Sequence, residues 1–216
     1  MSRLSLFPIL VVLLAGCHAK FKREAPSVGN ARVQMLQIGG PTVQLGYLDT
    51  SSDIPLIQAA TAVVNVVQAV RSYDVADRIG QAVRPDAVAG AFEQGFAQTL
   101  GSGPPFAYND ADEANAVLQI EILSYGVYVP YLGAAGEFTY DMRMRMYKSD
   151  GDRIYSAHHT CTASLGDPSV AERVFGVVNN VAELEKMGDS EIQATFEGMA
   201  RWCGEWFVAR MRKHAG

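Results

Sequence analysis

The segment HHTC, residues 158–161, places two histidines and a cysteine within four residues. Imidazole and thiolate are ligands that zinc and other transition metals prefer. The segment is predicted to be a β-strand, in which successive side chains point to opposite faces, so His158 faces away from His159 and Cys161. We therefore predict no metal site, with His158 on the surface and His159 at the edge of the core. His159 and Cys161 could share a metal only if Cys161 formed no disulfide.

Sequence patterns that carry catalysis are missing. The chain contains no H-E-x-x-H, G-x-S-x-G, P-loop or dinucleotide-binding glycine pattern. The carboxylates of Asp150 and Asp152 flank a glycine, and turn preference explains them. We therefore predict no catalytic residue, no metal and no cofactor. The alternative of a hydrolase depends on a deep polar cleft that joins His158, Arg143 and Asp141.

Composition and charge exclude other classes. The chain has 18 basic and 23 acidic residues, a net charge of -5, and 49% hydrophobic residues. This composition is typical of a folded globular chain rather than a disordered one. The net charge is negative and a short basic run, KFKR, stands at positions 20–23, so nucleic acid is not an expected partner. That run is interpreted either as a contact for anionic lipid headgroups or as part of a solvated tether.

The first 16 residues have the layout of a secretory signal peptide. Arg3 and the amino terminus form its positive end, and the thirteen residues 4–16 form an apolar segment. A helix that spans the bilayer core of about 30 Å needs about 20 residues, so this segment is too short to remain as a transmembrane anchor. We predict that residues 1–16 are removed.

The end of that segment, Leu14-Ala15-Gly16-Cys17, resembles the lipobox of bacterial lipoproteins at every position. The resemblance implies that Cys17 becomes the first residue, carries a diacylglyceryl group and is acylated on its amine, palmitate being the expected chain. Two or more acyl chains hold a protein stably on a membrane. His18 is not the aspartate that retains enterobacterial lipoproteins in the inner membrane, so we predict the outer membrane, facing the periplasm. The alternative is an ordinary signal peptide in which Cys17 has no special role.

The lipobox also affects the interpretation of the other two cysteines. Export places the chain in an oxidising compartment, where disulfides persist. If Cys17 carries lipid, Cys161 and Cys203 remain as a pair, one on the core side of a predicted strand and one on the core side of a predicted helix. We predict a disulfide between them, and the alternative is two buried thiols.

Three strands are predicted between about residues 116 and 163. The first begins at Ala116, and the other two are joined by Asp150-Gly151, a dipeptide suited to a type I′ turn. With that turn, paired residues have numbers that sum to 301, so Tyr140 faces Cys161 on the apolar face. We therefore predict an α+β fold in which an antiparallel meander is covered on one face by amphipathic helices.

Two of these helices are indicated by apolar residues at helical spacing. One begins at Pro85, with Val88, Phe92, Phe96 and Leu100 on its buried side. The last begins at Ser190, with Ile192, Phe196, Met199, Cys203 and Trp206 on its buried side. A further, mostly apolar helix at about 54–72 is interpreted as a buried helix, as an oligomer contact or as a segment that inserts beside the membrane.

The predicted organisation is a signal peptide at 1–16, an acylated cysteine with a flexible tether at 17–30, and a single domain at 31–216. The tether would reach at most about 45 Å. From Pro85 to Arg212 the order of elements, a helix, three strands with an Asp-Gly hairpin and a final helix, resembles auxiliary lipoproteins of ABC-type envelope transport systems. The resemblance implies a non-catalytic subunit that docks on envelope machinery. The expected partners are the membrane, envelope proteins and, as an alternative, a second copy of the chain.

Overall fold

The computed structural model describes residues 19–45, 74–101, 103–109, 113–129, 137–164 and 186–216. Residues 19–28 (α1) and 74–82 (α2) are helical, and two longer helices are α3 (Pro85–Leu100) and α4 (Asp189–Ala215). The strands are β1 (Asn30–Ile38), β2 (Pro41–Leu45), β3 (Ala107–Tyr108), β4 (Ala116–Val129), β5 (Glu137–Lys148) and β6 (Arg153–Ser164). The fold is therefore α+β. The apolar segment at 54–72 lies outside the described residues, as do the signal peptide and Cys17.

The sheet is mixed, although β4, β5 and β6 do form an antiparallel meander. The strand order is β3-β1-β4-β5-β6, with β2 also paired to β4. β1 and β2 run parallel to successive halves of β4, and β3 runs parallel to β1. The prediction of a wholly antiparallel sheet is wrong in this respect. A long connection that includes α2 and α3 separates β1 and β2 from β4, and such a connection permits the parallel pairing that a short hairpin excludes.

The register of β5 and β6 agrees with the sequence prediction. Tyr140 pairs with Cys161 and Arg143 pairs with His158, as a sum of 301 requires. Residues on one face of β5 alternate with residues on the other, and every second one from Phe138 to Met146 is buried. A shift of one residue would move this apolar set to the solvent face, so burial specifies the register.

The turn that joins β5 to β6 differs from the predicted one. A type I′ turn needs positive φ at both central residues, but among the described residues only glycines have positive φ, and Gly151 is one of them at +83°. The amide of Gly151 donates to the carbonyl of Lys148 at 2.9 Å, and the amide of Lys148 donates to the carbonyl of Asp152 at 3.0 Å, which closes a three-residue loop at 149–151. One extra residue of β6, Ile154, then forms a bulge, and beyond it the strands return to the predicted register.

Helix α4 covers the apolar face of the sheet. The Phe196 ring lies 5.2 Å from that of Phe138 and 5.6 Å from that of Tyr125, in edge-to-face contacts. Tyr140 is fully buried and its hydroxyl donates to the carbonyl of Phe196 at 2.7 Å. Burial raises the pKa of the Tyr140 hydroxyl well above its ordinary value, so it stays protonated and remains a donor. This cluster fixes the first half of α4 on β4 and β5.

Helices α3 and α4 cross with their backbones in direct contact. A Cβ atom built on Gly204 would lie 2.3 Å from the carbonyl oxygen of Phe92, and one built on Gly95 would lie 2.1 Å from that of Arg201. Both distances are far below a van der Waals contact. The absence of a side chain on each helix therefore allows Phe92 and Phe96 of α3 to be fully buried beside α4.

We expect Gly204→Ala to lower the free energy of unfolding by about 1–2 kcal/mol, because overpacking costs about 1–3 kcal/mol and the better helix propensity of alanine offsets only about 1 kcal/mol of it. Urea denaturation measures the change. The control is Gly90→Ala in α3, where an added Cβ meets no atom within 4 Å. That variant should gain up to about 1 kcal/mol. Equal stabilisation of both variants would contradict the close crossing.

Candidate functional site

Three regions bring polar or reactive groups together. They are the face of the sheet opposite α4, a groove between α3 and α4, and the end of the sheet across which α1 lies.

The sheet face opposite α4 carries a pair formed by Asp141 and His158. His158 Nε2 lies 2.7 Å from Asp141 Oδ1, and the Thr160 hydroxyl donates to the same oxygen at 3.4 Å. A nucleophilic hydroxyl needs a base that can accept its proton, but Thr160 is directed at the carboxylate and not at the imidazole. The His158 side chain is 60% exposed. The pair therefore lies on an open surface, whereas electrostatic stabilisation of a transition state is strong in a site that excludes water.

Arg143 lies beside this pair but bonds elsewhere. Arg143 Nη1 donates to Glu121 at 3.3 Å, and Arg145 Nη1 donates to the other oxygen of Glu121 at 3.1 Å. These charges form a row across β4 and β5, and the Arg143 side chain is 43% exposed. Exposed ion pairs of this kind contribute little stability. Asp141, His158 and Arg143 thus sit side by side on a solvent-facing surface.

The structure separates the histidines of HHTC as strand alternation predicts. His158 is exposed, whereas the His159 ring lies on the α4 side, 6.0 Å from the Trp206 ring and 5.7 Å from the Phe207 ring. Cys161 is bonded to Cys203 and is not a free thiolate. Within the ranges that the structure describes, no three His, Cys, Asp or Glu residues are grouped so as to hold a metal ion.

The predicted pair of cysteines is joined by a disulfide. Cys161 on β6 and Cys203 on α4 are both fully buried, and their Cα atoms lie 6.0 Å apart, an ordinary separation for a bridge. The bond links the middle of α4 to the sheet. The helix and the sheet are therefore linked covalently at the centre of the core.

A groove of about 510 Å³ opens between α3 and α4. Its lining combines an aromatic ring with charged and amide groups: Gln98, Thr99, Gly198, Arg201, Trp202 and Glu205. Arg201 Nε donates to Gln94 Oε1 at 3.3 Å, which holds its guanidinium at the edge of the groove. Trp202 is half-buried, and half-buried aromatic residues are common anchors in protein interfaces. The groove is therefore a candidate binding surface.

Helix α1 packs against the core, which corrects the prediction of a flexible tether at 17–30. Phe21 and Ala25 are fully buried, and Val28 is 2% exposed. The Phe21 ring lies 4.5 Å from that of Tyr155 on β6. The spacing of four and three residues between these positions is typical of a helix. Pro26 and the short length of the segment favour a linker instead.

Ion pairs fix the orientation of α1 on the β5–β6 hairpin. Lys20 Nζ lies 2.7 Å from Asp152, and Lys148 Nζ lies 3.6 Å from Glu24. The hydrogen bond from Lys20 holds the pKa of the Asp152 carboxyl below its ordinary value, and the hydrogen bond from Arg23 does the same for Glu24. Pairs at the surface add little energy. Burial of the apolar side of α1 therefore accounts for most of its docking.

Cys17 lies outside the described residues, but chain connectivity limits its position. Residue 19 is the first described residue, so the Cα of Cys17 lies at most about 7 Å from it. Any group bound to Cys17 is therefore attached two positions before the start of α1. None of the helices in the described part of the chain is both long enough and apolar enough to cross a membrane.

The sequence matches no protein-family model and no curated protein. Three solved structures share some similarity of shape. Protein XCC0632 of Xanthomonas campestris, described as DUF330, is 11% identical with a TM-score of 0.39, and the match covers 86% of this chain and 83% of that one. Hypothetical protein CT253 of Chlamydia trachomatis is 15% identical with a TM-score of 0.32, covering 87% and 97%. Lipoprotein GNA1162 of Neisseria meningitidis is 16% identical with a TM-score of 0.24, covering 72% and 91%. Similarity at this level assigns no function to the chain.

Proposed function

We propose that this chain is a bacterial lipoprotein, acylated at Cys17 and held on the periplasmic side of an envelope membrane, the outer membrane being the expected one. The main support is the lipobox Leu14-Ala15-Gly16-Cys17, which stands at the end of a thirteen-residue apolar segment that is too short to span a bilayer. The Cys161–Cys203 disulfide also fits an oxidising compartment.

We further propose a non-catalytic binding or assembly role in the cell envelope. The α3–α4 groove, with Trp202 at its side, offers a surface for a partner. An auxiliary subunit of an envelope transport system is the more specific form of this proposal, and the order of elements from Pro85 to Arg212 supports it. A membrane-tethered hydrolase is the alternative, favoured by the 2.7 Å contact between Asp141 and His158. The exposure of that pair is the reason for preferring a binding role.

The intact mass of protein extracted from membranes tests the anchor. We expect the mass of residues 17–216 plus acyl groups, and two thiols that can be alkylated only after reduction. Cys17→Ser should abolish acylation and release of the signal peptide, because the modified thiol is what the lipoprotein pathway acts on. His18→Ser is the matched control and should be processed normally. An unacylated product of the unaltered chain would overturn the proposal.

The binding role is tested on the same membranes by chemical crosslinking. Capture through the acylated protein should recover envelope proteins, and Trp202→Ala should reduce their yield if the α3–α4 groove is the contact. Arg84→Ala, which changes an exposed residue outside the groove lining, is the control. Recovery of no envelope protein above background would count against a binding role.

A further inference from the structure

Basic side chains are concentrated at the end of the sheet where α1 lies. This end consists of residues 19–28, the hairpin residues 148–153 and residues 213–216. It carries six basic and three acidic residues: Lys20, Lys22, Arg23, Lys148, Arg153 and Lys213 against Glu24, Asp150 and Asp152. The whole chain has 18 basic and 23 acidic residues. A protein with net negative charge therefore has one end with net positive charge.

Contacts among the three segments make them one continuous surface. Lys20 binds Asp152 of the hairpin, and Lys22 Nζ donates to the carbonyl of Gly216 at 3.3 Å. Behind them, the Tyr155 hydroxyl lies 3.0 Å from His214 Nδ1. We call this end of the molecule, made by residues 19–28, 148–153 and 213–216, the basal surface.

Two of the acidic groups on the basal surface are already shared between basic ones. Glu24 lies 3.1 Å from Arg23 and 3.6 Å from Lys148, and Asp152 lies 2.7 Å from Lys20 and 3.8 Å from Lys148. Asp150 is the third acidic group and lies 3.8 Å from Lys148. Six basic groups against three acidic ones leave a net positive charge on the basal surface. Lys22, Arg23 and Lys213 are exposed, and the Arg23 side chain is 73% exposed.

The chain leads from the basal surface directly to Cys17. The buried side of α1 faces the sheet through Phe21 and Ala25, so Lys22, Arg23 and the exposed Pro26 and Ser27 lie on its outer side. Only His18 lies between Cys17 and the first residue of α1, and the two Cα atoms that it separates are at most about 7 Å apart. If Cys17 carries acyl chains in a bilayer, no long tether separates the basal surface from the lipid headgroups.

We propose that the basal surface is a contact site for an anionic lipid bilayer, which orients the domain with α1 against the membrane. This inference rests on the proposed function, because acylation of Cys17 is what would bring the basal surface to a membrane. The attraction of the basal surface to anionic lipid can nevertheless be tested on a protein without acyl chains. Lysine and arginine residues close to an anionic membrane each strengthen partitioning by about fivefold, and the attraction falls off within a Debye length. Because α1 begins two residues after Cys17, its basic side chains would lie close enough to the headgroups for this attraction to act.

The test uses the chain from residue 17 onward with Cys17→Ser, which keeps every described residue. Sedimentation measures its binding to vesicles of phosphatidylglycerol mixed with phosphatidylcholine, and to vesicles of phosphatidylcholine alone. We expect binding only to the anionic vesicles, and loss of that binding at high salt. The variant K22Q/R23Q/K213Q should bind the anionic vesicles about a hundredfold more weakly.

The matched control is R84Q/R145Q/K186Q, which removes the same amount of charge from residues outside the basal surface. It should retain the binding of the unaltered chain to within about threefold. Equal binding to both kinds of vesicle, no binding to either, or equal weakening by both triple substitutions would overturn the proposed contact site.

The mass of the membrane-extracted protein separates this inference from the proposed function. An acylated protein without preference for anionic vesicles would overturn the contact site and leave the lipoprotein assignment standing. A protein without acyl groups that still selects anionic vesicles would overturn the anchor and support the contact site.

Discussion

Replacing both Cys161 and Cys203 by alanine is expected to lower the free energy of unfolding by about 4 kcal/mol, because the bridge restricts the unfolded chain. The bonded residues are 42 positions apart in sequence, and the chain-entropy estimate for a loop of this length gives that figure. Stabilities of natural domains are about 5–15 kcal/mol, so the loss is a large fraction of the total. For a chain of this size it corresponds to a fall in Tm of about 8–16 °C.

Urea denaturation with and without reductant isolates the contribution of the bridge. The reduced wild-type protein should unfold at nearly the same urea concentration as the double alanine variant. The variant itself should be insensitive to reductant, which makes it the internal control. A wild-type midpoint that does not move when both thiols are shown to be free would contradict a stabilising role for the bond.

The effect of the bridge should extend beyond the two sulfurs. Cys203 is at the middle of α4, whose first half rests on Phe138 and Tyr125 and whose last turn reaches Tyr155 through His214. Without the covalent link, the helix is held by non-covalent contacts such as these and by the close crossing with α3. The position of α4 therefore depends jointly on a covalent bond, an aromatic cluster and the glycine crossing.

The sequence predicts best those features that depend on short-range periodicity. Burial on one face of a strand has a period of two, so the alternation from Phe138 to Met146 predicts which side of β5 faces the core. The same alternation places Cys161 inside and His158 outside. On α4 the helical period correctly places Cys203 on the buried side, but its prediction of Trp206 as the next buried residue is less accurate. Phe207 is fully buried and Trp206 only half-buried, because the stripe continues by four residues and not by three.

The features that the sequence conceals depend on contacts between distant segments. Nothing within β1 or β2 indicates whether they run parallel or antiparallel to β4, since strand direction depends on the connection between them. The docking of α1 is another case. A segment of ten residues is too short to predict a stable helix from local signals alone. Tyr155, more than a hundred residues away in the chain, supplies the surface that buries Phe21.

Phe21→Ala is expected to weaken the docking of α1 by about 3 kcal/mol, because truncating a buried aromatic side chain removes its burial and leaves a cavity. Phe21 is fully buried, and its ring is 4.5 Å from that of Tyr155. Hydrogen exchange measures the change locally. Protection of the amides in residues 19–28 should fall by about a hundredfold if the helix opens as a unit. Arg23→Ala on the exposed side of α1 is the control and should change stability by less than about 0.5 kcal/mol.

The same substitution should change how an acylated chain sits on its membrane. With α1 docked, Cys17 lies within about 7 Å of the described domain, whereas an undocked segment from Cys17 to Asn30 could extend to about 45 Å. Undocking also frees the backbone around Lys20, Lys22 and Arg23 from the helix, so trypsin can bind these sites in an extended conformation. We therefore expect trypsin to release the Phe21→Ala domain from membranes much faster than the unaltered domain. Equal rates of release for both proteins would mean that Phe21 does not hold α1 in place. A faster rate would show that one buried ring keeps the domain against its anchor.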